Sequence, residues 1–190
     1  MTPARLAALG LILAVWSPAA GAASLALGDK DREEALRTGQ RSVTSETFGS
    51  EWRVVNGGGE SVSVMTPFHR LALAARQSAF KGEALKVQDQ ERMLQELRER
   101  MMFRVELRGN TEDFARFLAP RLVVGDRVIQ PSVAQNERTA MREESGRYLA
   151  RCSYWFPAKD FAGDARLVLR IQTPDGEERS RFDIDLAKMR

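Results

Sequence analysis

The chain contains a single histidine, His69, which lies at the expected start of a helix. A lone histidine makes an ordinary zinc site only when carboxylates complete the ligand set, and no cysteine pair accompanies this one. General base catalysis would need a partner acid and a nucleophile, and the sequence spaces neither of them around His69. The pattern favours a surface or helix-start residue over a catalytic or metal-binding one.

Two acids near the C-terminus form the other candidate site. Asp183 and Asp185 alternate along an expected strand and would project to its solvent side, with Glu177 or Glu178 close by. Carboxylates grouped in this way could hold a hard cation such as calcium. Cross-strand ion pairing with neighbouring arginines, Arg170 among them, is the simpler interpretation. The sequence therefore predicts no metal and no cofactor, with His69, Asp183 and Asp185 as the only candidates.

The remaining chemical motifs are missing. Gly57–Gly59 lacks the Lys-Ser/Thr ending of a phosphate-binding loop and is not followed directly by a helix. The sequence contains no nucleophile elbow and no metalloprotease motif, and its one cysteine, Cys152, has no intramolecular partner. We therefore expect a protein that is not an enzyme.

Cys152 belongs to the stretch Arg147–Phe156, around which we expect the chain to be organised. Read with a period of two, one face of this stretch is apolar and the other is mixed. The apolar face consists of Tyr148, Ala150, Cys152, Tyr154 and Phe156. This alternation predicts a central strand with Cys152 in the core.

The charge balance and the N-terminal sequence indicate which partners and which location the protein has. Its 29 basic and 26 acidic side chains give a formal charge of +3, and the arginines are interleaved with acids, which argues against nucleic-acid binding. Arg5, the apolar run Leu6–Trp16 and the small-residue site Ala20–Ala22 follow the order of a secretory signal. We predict a signal peptide over residues 1–22, no membrane span, and export to the periplasm or, in a source with one membrane, secretion.

After the signal, capping and dipole patterns predict a helix that begins with Asp29 as its N-cap and stops at Gly39. We assign residues 23–60 to this helix and a flexible arm, in which Glu51–Val55 forms a short strand. A strand over Ser61–Met65 and helices over residues 67–80 and 88–100 follow. We expect these last two helices to pair through the connection Gly82–Val87.

The remainder of the chain is predicted to be largely strands. Phe103–Arg108 alternates cleanly, Thr111–Leu118 has a helical pattern, and Ser132–Gly146 is a polar loop. Gly125-Asp126 and Thr173–Gly176 are turn sequences that predict two hairpins. Residues 61–190 then form one domain, mainly β with helices, as an antiparallel Ig-like β-sandwich with the helical pair packed on it. The alternative is a single sheet covered on one face by the helices.

These features favour an exported non-enzymatic module that binds a protein or another envelope component. Two alternatives stay open. One is a secreted hydrolase or carbohydrate-active protein that uses scattered carboxylates and His69. The other is a carrier of a small apolar ligand, with a cavity lined by Met93, Leu97 and Phe103.

Overall fold

The computed structural model describes residues 25–190, so the predicted signal peptide lies outside the described residues. This range contains three α-helices: α1 (Asp29–Arg41), α2 (Pro67–Phe80) and α3 (Val87–Glu99). It also contains ten strands, numbered in chain order: β1 (Arg53–Val55), β2 (Ser61–Met65), β3 (Arg100–Gly109), β4 (Ala119–Val124), β5 (Arg127–Ile129), β6 (Val133–Gln135), β7 (Met141–Arg142), β8 (Tyr148–Pro157), β9 (Arg166–Gln172) and β10 (Glu178–Asp185).

The strands form two antiparallel sheets. Sheet A has the order β1-β2-β3-β8-β6, with the short β7 pairing with β8 as well, and sheet B has the order β10-β9-β4-β5. All strand pairs are antiparallel, as the predicted hairpins require. The protein is thus a mixed α+β protein with two antiparallel sheets and three helices, and the alternative of a single helix-covered sheet is wrong.

The stretch predicted to be central forms β8, which pairs with β3 over ten residues. Ala150, Cys152, Tyr154 and Phe156 are buried, whereas Tyr148 at the strand's beginning is only half-buried. Their side chains join those of both sheets in one hydrophobic core. Burial raises the pKa of the Cys152 thiol, so the thiol stays protonated in the core.

Several boundaries agree with the sequence patterns. The strand over Ser61–Met65 and the helix over residues 67–80 are confirmed, and Thr66 caps α2 by accepting a hydrogen bond from the His69 amide. Both predicted hairpins are present, and their turns contain Gly125 and Gly176 at positive φ. Glycine tolerates this conformation because it has no Cβ.

Two predictions for the connections between strands are wrong. Thr111–Leu118 forms turns instead of a helix, and the ring of Phe114 lies directly over Gly109, where a Cβ would clash with it. The polar segment 132–146 contains β6 and β7, both of which pair with β8. Short, exposed strands of this kind depend on the neighbouring strand and carry almost no apolar alternation of their own.

The helices also pair differently from the prediction. The most extensive helix–helix contact joins α1 to α2 rather than α2 to α3. Gly39 does not end α1 but lies inside it, where a Cβ would come within 2.1 Å of the Ala72 carbonyl oxygen. Asp29 is likewise the first helical residue, and Gly28 is the N-cap. The glycine is needed for close backbone approach, which a composition pattern does not distinguish from a helix stop.

The segment predicted as an arm contributes to the core. Trp52 is 1% exposed, and its indole N–H donates to the Arg190 carbonyl oxygen over 2.6 Å. β1 pairs with β2 at the edge of sheet A. Among residues 25–190, none of the helices combines the length and apolar character that crossing a bilayer would require.

The two sheets are joined by a buried carboxylate, Glu60, at the start of β2. One of its oxygens accepts from the Arg108 amide of β3 and from the Arg179 guanidinium of β10, both over 3.0 Å. The other accepts from the Ser180 hydroxyl over 2.6 Å and from the Asn56 side-chain amide over 3.2 Å. Sheet A and sheet B thus share one carboxylate.

These contacts set the protonation state of Glu60. Burial by itself raises the pKa of the carboxyl, but the hydrogen bonds from Ser180, Arg108 and Asn56 and the charge of Arg179 outweigh it. The net result is a pKa below the ordinary value for glutamate. Glu60 is therefore ionised in the folded protein at neutral pH.

Replacing Gly39 tests the close approach of α1 and α2. We expect Gly39→Ala to lower the free energy of unfolding by about 2 kcal/mol, because the new methyl group has to displace backbone. An exposed helix interior would instead gain about 1 kcal/mol from the same change. Urea denaturation measures the difference, with the exposed neighbour Gln40→Ala as the control. A stabilised Gly39→Ala variant would contradict the close packing.

Replacing Glu60 tests the link between the sheets. We expect Glu60→Ala to cost about 3 kcal/mol at neutral pH, the low end for a broken buried pair. Arg179 keeps 20% of its side chain exposed, which limits the cost. Because the folded-state pKa is depressed, the contribution of Glu60 is present above the unfolded pKa and is lost as the pH falls through the folded pKa.

The gap between wild type and Glu60→Ala should therefore narrow below about pH 4.3. Urea denaturation at a series of pH values measures it, with the exposed Glu177→Ala as the matched control. An equal loss of stability in both variants, or a gap that is independent of pH, would show that Glu60 does not connect the sheets in this way.

Candidate functional site

The outward face of sheet A carries a regular array of polar side chains. In one row across the strands, Arg53 of β1 lies opposite Ser63 of β2, which lies opposite Arg104 of β3 and then Ser153 of β8. Alternation along each strand puts the next row two residues away. That row contains Ser61, Glu106 and Arg151.

This array forms the floor of a groove of about 640 Å³. One wall is built by α2, with His69, Leu73 and Arg76, and by the loop before β1, which contributes Phe48 and Gly49. We call this cavity the sheet A groove. Its floor residues come from strands whose register is fixed by the core on the opposite face, so the groove is positioned by the fold.

Most of the charges in the floor are paired. The Glu106 carboxylate lies between two arginines, 3.0 Å from Nη2 of Arg53 and 3.8 Å from Nε of Arg151. The Ser61 hydroxyl also donates to Glu106, over 3.2 Å. Glu106 is therefore occupied as an acceptor, and the two arginines share one negative charge.

Arg104 is the exception. Its side chain is exposed, and it takes part in none of the ion pairs or side-chain hydrogen bonds among residues 25–190. The hydroxyls of its row neighbours Ser63 and Ser153 are likewise free of side-chain hydrogen bonds within that range. Arg70 lies near Arg104. Its pKa is lowered, first by burial and then by the positive charge of Arg104. An unpaired guanidinium therefore stands between two unused hydroxyls on the groove floor.

His69 lies in the wall of this groove, in the first turn of α2, and is 5% exposed, so the predicted helix start is correct and a surface position is not. Its Nδ1–H donates to the Val64 carbonyl oxygen over 2.8 Å, because a carbonyl can only accept. The ring stacks on Trp52 with a centroid distance of 4.2 Å and an interplanar angle of 7°. These contacts explain why the sequence places a histidine at the first turn of α2.

The chemistry of the His69 ring follows from this burial. Burial lowers its pKa, which the hydrogen bond to Val64 and the charge of Glu51 only partly offset. The ring is therefore neutral at pH 7, with Nε2 as an acceptor on the side of Gly49. His69 can accept a hydrogen bond in the groove, but it does not add positive charge to it.

Arg76 is held by the loop that precedes β1. Its Nε donates to the Ser42 carbonyl oxygen over 2.9 Å, and its Nη2 donates to the carbonyl oxygens of Ser45 over 2.9 Å and Val43 over 3.3 Å. Its guanidinium also lies 4.8 Å from the centre of the Phe48 ring. Arg76 therefore fixes the loop that forms the groove wall.

The structure places the two candidate aspartates elsewhere, on β10 of sheet B. Asp183 forms an ion pair with Arg181 of the same strand over 3.0 Å. Asp185 accepts from the Ala187 amide over 3.2 Å and lies 3.6 Å from Lys188. The predicted cross-strand partner Arg170 pairs with Glu178 instead. Within residues 25–190, no group of three or more potential metal ligands comes together.

Sequence reasoning did not single out Arg104. The clean alternation of Phe103–Arg108 already placed Arg104, Glu106 and Arg108 on the polar face of a strand. Alternation did not show the ion pairs, because Glu106 pairs with Arg53 and Arg151, which come from distant parts of the chain. Only the strand register shows which arginine is left over.

The comparisons with known proteins supply no function. No protein-family model matches the chain, and no curated protein matches it. A solved structure, described as a novel protein of unknown function from Burkholderia pseudomallei K96243, is similar to it with a TM-score of 0.43 and 10% sequence identity. The match covers 86% of this chain and 92% of the other. A likeness of this size carries no argument about function.

The single histidine makes its state directly measurable. We expect the ring protons of His69 to titrate in an NMR experiment with a pKa below the ordinary value of about 6.5. Since the folded pKa is depressed, the stability that the neutral ring contributes is present above the unfolded pKa and falls as the pH drops below it. His69→Gln should remove this part of the pH dependence. A titration at or above the ordinary value would contradict a buried, neutral ring.

Proposed function

We propose that this protein is an exported, non-enzymatic module that binds an anionic part of a protein or another envelope component in the sheet A groove. The observation that carries the proposal is Arg104, an exposed guanidinium without a partner between two free hydroxyls. Guanidinium groups recognise carboxylates and phosphates through paired, charge-assisted hydrogen bonds. Export is inferred from the N-terminal sequence pattern alone.

The charge of the groove supports this assignment. Its lining contains the arginines Arg53, Arg76, Arg104 and Arg151 against only Glu46 and Glu106. Arg76 is held by loop carbonyls, and Glu106 is shared by two arginines. An incoming anion thus meets a floor with three arginines and one carboxylate, while Glu46 adds one negative charge at the edge of the lining.

The scaffold fits the same role. We infer that the two sheets, which share one core, form an antiparallel β-sandwich that is Ig-like in the loose sense, with helices packed at its side. Sandwiches of this kind present a sheet face or loops to partners, although the fold by itself does not define function. Here the exposed face of sheet A is the presented surface, and the partner is a protein or envelope component rather than a nucleic acid.

A non-enzymatic role is also favoured by the state of the polar groups in the groove. Glu106 accepts hydrogen bonds from Arg53 and Ser61 and forms an ion pair with Arg151, so its oxygens are already engaged by neighbouring side chains. The hydrogen bond to Val64 holds Nδ1 of His69, and no carboxylate among the described residues orients that ring. Binding needs only the arrangement that is present.

Reversing the charge of Arg104 tests the proposal. We expect the mature chain, used as bait in an extract of the native envelope, to retain a partner that Arg104→Glu no longer retains. The attraction of one charge-assisted contact is replaced by repulsion, so recovery should fall at least about tenfold. Higher salt concentrations should also lower the recovery of the partner by the wild type, because ions screen the contact between charges.

Arg166→Glu is the matched control, because Arg166 is an exposed arginine on sheet B. Its bait should recover the same partner as the wild type. Identical recovery by the wild type and both variants would show that the sheet A groove is not the binding surface.

A further inference from the structure

A second cavity adjoins the sheet A groove along α2. It has a volume of about 510 Å³ and is lined by Val43, Leu73, Arg76, Gln77, Phe80 and Lys81. Leu73 and Arg76 belong to the lining of both cavities. The two cavities therefore lie side by side along α2, one over the floor of sheet A and the other at the end of the helix.

The second cavity is apolar where α2 ends. Phe80, the last residue of α2, is 79% exposed, and it is the most exposed of the large apolar side chains in the described part of the chain. Val43 and Leu73 beside it are only half-buried. An aromatic side chain left in water next to two aliphatic ones provides contact area for an apolar group.

The wall between the two cavities is fixed. The three carbonyl contacts of Arg76 hold residues 42–45 against α2, and the Phe48 ring lies over the same guanidinium. The distance between the unpaired Arg104 and the apolar end is thus set by the fold. A ligand that reaches both ends needs its two groups at a matching spacing.

We propose that the sheet A groove and the adjoining cavity bind an extended peptide segment, with a carboxylate at Arg104 and an apolar side chain against Val43, Leu73 and Phe80. This proposal rests on the proposed function. The polar groups beside Arg104 and in the groove wall suit a peptide backbone. Nε2 of His69 can accept from a backbone N–H, and the hydroxyls of Ser63 and Ser153 can donate to backbone carbonyls.

A lipid fits this surface less well. Both cavities are only partly enclosed, and an acyl chain lying in them would keep part of its apolar area in water. A hydrocarbon chain would also leave the Nε2 acceptor and both hydroxyls unused. The observations therefore favour a peptide, and lipid binding is an outcome that would overturn the proposal.

The test uses an array of synthetic peptides about 12 residues long, which span about 40 Å when extended. Each carries one glutamate and one leucine, with the spacing between them varied. We expect the mature chain to bind at one preferred spacing, and to bind less when either residue is replaced by alanine. Vesicles of phosphatidylglycerol are offered in parallel.

Two variants separate this proposal from the more general one. On the best peptide, Arg104→Gln should weaken binding about tenfold and Phe80→Ala about fivefold. Exposed residues supply matched controls, Arg166→Gln and Phe117→Ala, which should bind like the wild type. Phe80 is exposed, so its truncation should leave folding intact.

The outcomes are distinct. If Arg104→Gln weakens binding and Phe80→Ala does not, the anion site stands and the two-ended peptide site is overturned. If neither variant changes binding, the groove assignment fails as well. Binding to vesicles without peptide binding, or the absence of any preferred spacing, also overturns the peptide proposal.

Discussion

The buried carboxylate of Glu60 is the interaction on which the rest of the structure depends. Among residues 25–190, it is the one acid that accepts hydrogen bonds from both sheets, through Arg108 of β3 and through Arg179 and Ser180 of β10. Apolar packing brings the sheets together without direction, whereas these bonds fix how they meet. The inner face of sheet A is thereby committed to the core. Its other face, which holds Arg104, must then turn outward.

The sheet A groove results from the burial of the inner face of sheet A together with the contact between α1 and α2. The sheet supplies only a flat, charged floor. The wall exists because Gly39 allows α1 to approach α2 closely. The loop that leads from the end of α1 to β1 is held against α2 by the hydrogen bonds of Arg76. Trp52 then stacks on His69, which lines the wall. A sheet, a close helix crossing and one fastened loop together produce a site that none of them contains alone.

Much of the fold could be predicted from the sequence, and the site could not. Alternation identified the strands with strong apolar faces, such as β3 and β8, because the signal lies in consecutive residues. It failed for β6 and β7, which are strands only through pairing with β8. His69 was misjudged because its burial depends on Trp52, seventeen positions away in sequence. Arg104 was overlooked because its lack of a partner is visible only when Arg53, Glu106 and Arg151 are in register.

The central claim is that an anion binds at Arg104. The most direct measurement is an NMR titration that follows the side-chain Nε–H signals of the arginines while a glutamate-rich peptide is added to the protein. The account predicts a saturable shift of the Arg104 signal, together with smaller shifts at Ser63 and Ser153, while Arg166 stays unchanged. A shift at Arg166 equal to that at Arg104, or an Arg104 signal that does not move at saturation, would contradict it.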